Sequence, residues 1–144
     1  MQLLYLLPSV HSETFGSIIE QLLDSNKEKA IYVLEVIARI RENNGHPQMP
    51  LAKCLKGVDG QMNEIRVPYG RNELLRVYYF IDYENDAMVL LNGIIKPDGR
   101  NKSSSYEKKA GKKLNKAIEK SIQLALQFKA AYHYSHPDYE SFIN

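Results

Sequence analysis

Three cationic side chains fall within or at the end of apolar, strand-like phrases: Arg66 in MNEIRV, Arg76 in LLRVYYF and Lys96 closing MVLLNGIIK. Arg100 and Lys102 follow immediately in PDGRNK. A guanidinium presents donors in a planar fork that matches two phosphate oxygens. An ammonium is a compact charge whose pKa falls when it is buried beside other cations. If neighbouring strands of one antiparallel sheet aim these groups at a common concave face, they bind phosphate and stabilise charge developing in a transition state. A second reading is open at this stage. Strand arginines also run their stems out to solvent or pair with nearby carboxylates, here Glu64 and Asp82. Tyr106, at the start of a lysine-lined helical segment, is a candidate acid, base or stacking group, or else a helix-end packing residue.

Other chemistries leave little trace. The chain has neither a G-x-G-x-x-G phrase nor a P-loop, and its single cysteine, Cys54, rules out an internal disulfide and a cysteine-pair metal site. Cys54 lies in the apolar-basic phrase LAKCLKG and is expected to be a small core residue. His133 and His136 share a polar neighbourhood without a third ligand, so no metal site and no cofactor are expected. His11 and His46 sit at element ends, where surface or capping roles are the expectation, and no nucleophilic triad can be assembled around them.

The bulk numbers fit one soluble domain. The chain has 144 residues, 44% hydrophobic and 25% charged, with a formal net charge of +2. That small total hides a concentrated basic segment: residues 96–120 hold nine Lys and Arg against three Asp and Glu. A patch of this kind acts on a phosphate polymer through its local potential, whatever the charge of the whole chain. The opening MQLLYLLPSVHSE lacks leading positive charge and a small-residue cleavage site, and Pro8 interrupts it, so it reads as a β-strand rather than a signal peptide or membrane span. A cytoplasmic protein is expected.

The elements that must position the cations follow from periodicity. Ser9 or Ser12 is expected to cap a first helix running to about Leu23, with Phe15, Ile18, Ile19, Leu22 and Leu23 as its apolar face. Asp24-Ser25-Asn26 reads as a turn and N-cap. A second helix then spans about Lys27 to Glu42, and the short connection predicts an antiparallel helical hairpin. Beyond the breaker-rich NNGHPQMP, three strands are predicted over Met62–Val67, Leu74–Tyr83 and Met88–Ile95, joined by short turns as an antiparallel β-meander. The near-continuous apolar run at 87–95 predicts a central strand covered on both faces. Tyr78, Tyr79 and Tyr83 fit core and rim positions. From Tyr106 to about Ala131 the spacing predicts one long C-terminal helix, packing through Ala110, Leu114, Ala117, Ile118, Ser121, Ala125 and Phe128. Its opposite flank carries Lys109, Lys113, Lys116 and Lys120. Residues 132–144 form a polar tail without a period. The expected fold is α+β, one domain over residues 1–144.

In sequence order, AKCLKG, MNEIR, LRVYYF, VLLNGIIK and the lysine-rich segment leading into EKKA resemble the RelE/ParE superfamily of bacterial toxins, in particular its phage-derived HigB-type branch. That branch shows a helical hairpin, a K-x-L-x-G phrase, a strand ending in E-L-R, a strand with R-V-x-Y-F and a strand like L-L-H-G-F-x-K-K. The similarity runs from about Asp24 to Leu126. Asn92 stands where a histidine is common, Pro97 replaces the second lysine, MNEIR lacks the usual aromatic before Glu64, and the tail is additional.

The resemblance implies a RelE-like curved antiparallel sheet packed on helices. It also implies a toxin that cleaves mRNA on the ribosome without metal and is silenced by a small DNA-binding antitoxin. By matching motifs, Arg66 corresponds to the E-L-R arginine, Arg76 to the R-V-x-Y-F arginine and Lys96 to the first lysine after the apolar strand. Under this expectation Arg66, Arg76, Lys96 and Tyr106 are the catalytic set. Arg100, Lys102, Lys109 and Lys113 hold RNA. The alternatives are a non-catalytic RNA- or partner-binding module and a ParE-like gyrase inhibitor, since a shared fold does not fix activity.

Overall fold

The computed structural model describes residues 1–55, 61–97 and 105–141, with the side chains of 105–113 left out of the description. The chain opens with strand β1 (Gln2–Leu6), then forms helices α1 (Phe15–Ser25) and α2 (Lys27–Glu42). Strands β2 (Ala52–Cys54), β3 (Asn63–Gly70), β4 (Glu73–Asp82) and β5 (Ala87–Pro97) follow, then helix α3 (Ser105–Ala131) and strand β6 (Tyr139–Ser141). The six strands form one mixed sheet in the order β2-β3-β4-β5-β1-β6. The predicted three-strand meander is β3 to β5, and β2 adds an unpredicted fourth antiparallel strand at its outer edge. β1 extends the sheet by pairing parallel to β5, and β6 pairs antiparallel to β1.

Local chemistry sets the element ends. Asn26 caps α2, its side chain accepting from the main-chain nitrogen of Lys29 at 3.1 Å. The first helix starts later than the sequence suggests, and its cap is Thr14, not Ser9 or Ser12. Thr14 Oγ1 accepts from Ser17 N at 3.2 Å. The reason is that residues 13 and 14 are still engaged with the sheet: Thr14 bridges Asn92, and Gly93 N donates to the Glu13 carbonyl at 3.1 Å. A helix cannot begin until the chain leaves that edge. Asn72 (φ 61°) and Asp86 (φ 50°) take the left-handed conformations that close the β3–β4 and β4–β5 turns.

The sheet is covered on both faces. On β4, Leu75, Val77, Tyr79 and Ile81 point into the cluster shared with α1 and α2, which includes Phe15, Ile19, Val33 and Ile37. Tyr78 and Phe80 point the other way, into a cluster with Leu91, Val89 and Ala125 of α3. Central strand β5 is buried from Ala87 to Gly93, as its apolar run predicts. The β4–β5 register carries a bulge. Val77 pairs with Gly93 and Tyr79 with Leu90, so Leu91 and Asn92 together face Tyr78.

One further expectation is corrected. Cys54 is exposed rather than buried, because it ends the three-residue edge strand β2 with its side chain toward solvent. The C-terminal tail is docked over its described part. Leu7 N donates to the Asp138 carbonyl at 2.9 Å, and the Tyr134 hydroxyl donates to Gln2 Oε1 at 3.0 Å. A three-residue strand is too short to show a period, so its pairing with β1 has no sequence signature.

Candidate functional site

The strand pairing brings the two arginines together. Arg66 on β3 and Arg76 on β4 are direct cross-strand partners, and Arg76 in turn faces Ile94 on β5. Lys96 pairs with Leu74 and lies two residues beyond Ile94, so the period of a strand puts it on the same face as both arginines. Its Cβ is diagonal to that of Arg76, a spacing of roughly 7–8 Å. This face also carries α3. It is not an open concavity at Arg76, whose relative exposure is 5%.

In the adjacent row, Lys53 of β2 pairs with Glu64 of β3, which pairs with Tyr78 of β4. Glu64 is buried at 2% exposure, and its Oε1 lies 3.5 Å from Arg66 Nε and 4.0 Å from Lys53 Nζ. Burial pushes the Glu64 carboxyl above the usual carboxylate range, although Lys53, Arg76 and Arg66 all pull it down. Neither Glu64 Oε1 nor Arg76 Nη1 has a hydrogen-bond partner among the described residues. The two arginines share one face and neighbour Glu64, but at Arg76 that face is closed rather than concave. Asp82 is engaged elsewhere, accepting from the Tyr132 hydroxyl at 2.7 Å and from Asn85 Nδ2 at 2.9 Å.

A polar clamp ties α3 to this face. The Tyr78 hydroxyl lies 2.8 Å from Ser121 Oγ, which donates to the Ile118 carbonyl at 2.7 Å, so Tyr78 is the donor of the pair. Asn92, turned toward α3 by the bulge, donates through Nδ2 to the Ser121 carbonyl at 2.9 Å. Burial and the Glu64 charge push the Tyr78 phenol up to about 12, so it is a structural donor rather than a proton carrier near neutral pH. Gly93 permits the close β4–β5 approach, since a Cβ there would sit 2.5 Å from the Arg76 carbonyl oxygen.

Lys96 opens onto a cleft of about 440 Å³ between the Ser12–Glu13 segment, the end of β5 and α3, where it meets Lys120 and Ser121. A second depression of about 600 Å³ shares Glu13 and Lys120 and adds His11 and Lys116. Lys116 and Lys120 are exposed, as their helical spacing predicts. Tyr106, Lys109 and Lys113 lie on α3, in the part whose side chains are outside the description, while Arg100 and Lys102 lie outside the described residues. Sequence reasoning missed Lys53 as a neighbour of the site, because the register of so short a strand as β2 leaves no pattern.

Among the described residues, no group of three or more His, Cys, Asp or Glu side chains is arranged to hold a metal ion. No described helix is long and apolar enough to cross a membrane. No family model matches the chain, and neither does any curated protein or solved structure.

Proposed function

We propose that the chain is a toxin of a type II toxin–antitoxin system, of the RelE/ParE superfamily and its HigB-type branch, acting in the cytoplasm as a metal-independent, ribosome-dependent mRNA endoribonuclease. The observation that carries this reading is the cross-strand Arg66–Arg76 pair with Lys96 on the same face. Cleavage of RNA without metal requires the 2′-hydroxyl to attack the adjacent phosphorus. A base removes its proton, cations stabilise the pentacoordinate phosphorane, and an acid protonates the leaving 5′-oxygen. In this reading the guanidiniums of Arg66 and Arg76 take the scissile phosphate. Lys96 serves as the base or acid, and Tyr106 as a second acid or stacking group. Arg100, Lys102, Lys109 and Lys113, joined by exposed Lys116 and Lys120, hold the RNA backbone. A small DNA-binding antitoxin is the silencing partner.

The burial of Arg76 and the packing of α3 on its face favour a second reading, a non-catalytic module that holds RNA or an acidic partner through Lys96, Lys116 and Lys120. Induced expression in a bacterium, with primer extension on an abundant transcript, separates the readings. Growth arrest with new breaks in translated codons supports the ribonuclease. Arrest without breaks transfers the proposal to gyrase inhibition, and no arrest from soluble, folded protein leaves the binding module.

A further inference from the structure

Two guanidiniums placed directly opposite each other on neighbouring strands repel, and nothing in the strand pairing itself keeps them side by side. Glu64 is the anion on their face. Resting on the phosphate-binding reading, we infer that Glu64 is a positioning residue, the shared counter-ion that fixes Arg66 and Arg76 side by side on the sheet for a phosphate of RNA.

Glu64 is two residues from Arg66 on one strand and therefore on its face, and in the row next to Arg76. It is buried at 2% exposure, within 3.5 Å of Arg66 and 4.0 Å of Lys53. Lys53 and Arg66 lie nearest this carboxylate and Arg76 attracts it from the next row, so three cations face one anion and the cluster keeps excess positive charge, which is what an incoming phosphate requires. Arg76 Nη1 lacks a hydrogen-bond partner among the described residues but is sealed from solvent in a side chain of 5% exposure, so a phosphate reaches it only when the packing over this face opens.

Burial outweighs the three cations around Glu64 and leaves its charged form disfavoured relative to water, so a neutral isostere in its place does not weaken the fold near neutral pH.

The test is Glu64→Gln in the full chain. The expected thermal midpoint at pH 7 is equal to or above that of the wild type. The Nε–Hε order parameters of Arg66 and Arg76 fall by NMR. On programmed ribosomes the maximal single-turnover cleavage rate drops by about tenfold or more, since misplacing binding groups costs rate. The half-saturating concentration stays level or falls, because the variant carries one more net positive charge toward RNA. Slower cleavage with undiminished affinity in a fully folded variant is a pattern that simple loss of structure does not produce. A variant that fails to fold, leaves both arginines as ordered as before, or cleaves at the wild-type rate overturns the inference. If the wild type itself cleaves nothing, the ribonuclease reading falls, and the order parameters and midpoint alone decide the role of Glu64.

Discussion

Arg66 and Arg76 face each other across β3 and β4, and the residue opposite Arg76 on its other side is Ile94, two positions before Lys96. This register gathers cations that are up to thirty residues apart in sequence onto one face. The two arginines differ in burial: the Arg66 side chain is 23% exposed, whereas Arg76 is 5% exposed. Substituting them therefore has different consequences for the fold.

Arg66→Ala removes one of two facing like charges from a partly exposed position, so its stability is expected within about 1 kcal/mol of wild type. Arg76→Ala leaves a buried site without its cation and Glu64 with less compensation, which costs on the order of 3 kcal/mol. Urea unfolding of both variants checks the difference. Equal destabilisation would contradict the assigned burial.

The α3 clamp has a measurable strength. Tyr78→Phe deletes the hydroxyl that donates to Ser121 Oγ at 2.8 Å and is expected to cost about 1 kcal/mol. Asn92→Ala deletes a buried side-chain hydrogen bond to the Ser121 carbonyl, which keeps its own helical partner, and is expected to cost about 1 kcal/mol. The two groups share Ser121, so a double-mutant cycle should show non-additivity. Independent losses would mean that α3 is held elsewhere.

Gly93→Ala places a Cβ 2.5 Å from the Arg76 carbonyl oxygen and 3.0 Å from Ile18 Cδ1. The backbone contact cannot be relieved by a side-chain rotation, so β5 must shift. A loss of about 1–3 kcal/mol in thermal or denaturant unfolding is expected, together with weaker RNA binding as Arg76 is displaced. A variant as stable as wild type would contradict the close approach.

Glu64 gives a pH signature of defined sign. Lys53, Arg66, Arg76 and Tyr78 surround it, and its folded pKa is raised above the ordinary value of 4.5, chiefly by burial. Its contribution to stability is therefore fully present below that value and is lost as pH rises through the folded pKa. Asp82 acts in the opposite sense. Burial alone would raise its pKa, but hydrogen bonds from Tyr132 and Asn85 hold it below its ordinary value, so its contribution is lost as pH falls. Subtracting the Glu64→Gln curve from the wild-type curve isolates Glu64. The difference should decline with rising pH, and a rise would contradict the account.

Much of this arrangement is legible in the residues. Asn26 and the apolar spacing after it give α2 its observed bounds, and the long apolar run of β5 announces a strand buried on both sides. The alternation within LLRVYYF puts Arg76 on the face opposite Leu75 and Val77. What the sequence hides depends on pairing between distant segments. The start of α1 at Thr14 follows from its bridge to Asn92, and the inward turn of Asn92 follows from a bulge. Lys53 reaches Glu64 through a three-residue strand with no period of its own. Cys54 looks like core by composition, yet lies on the sheet edge, because composition does not reveal which strand is outermost.

The most direct test of the central claim is cleavage by purified protein on programmed ribosomes, comparing wild type with Arg66→Ala and with Arg76→Lys, a substitution that keeps the charge but loses the fork. Specific breaks in the ribosome-bound codon are expected with wild type. Both folded variants should lose about tenfold or more in rate. Wild-type rates in both variants would contradict the central claim.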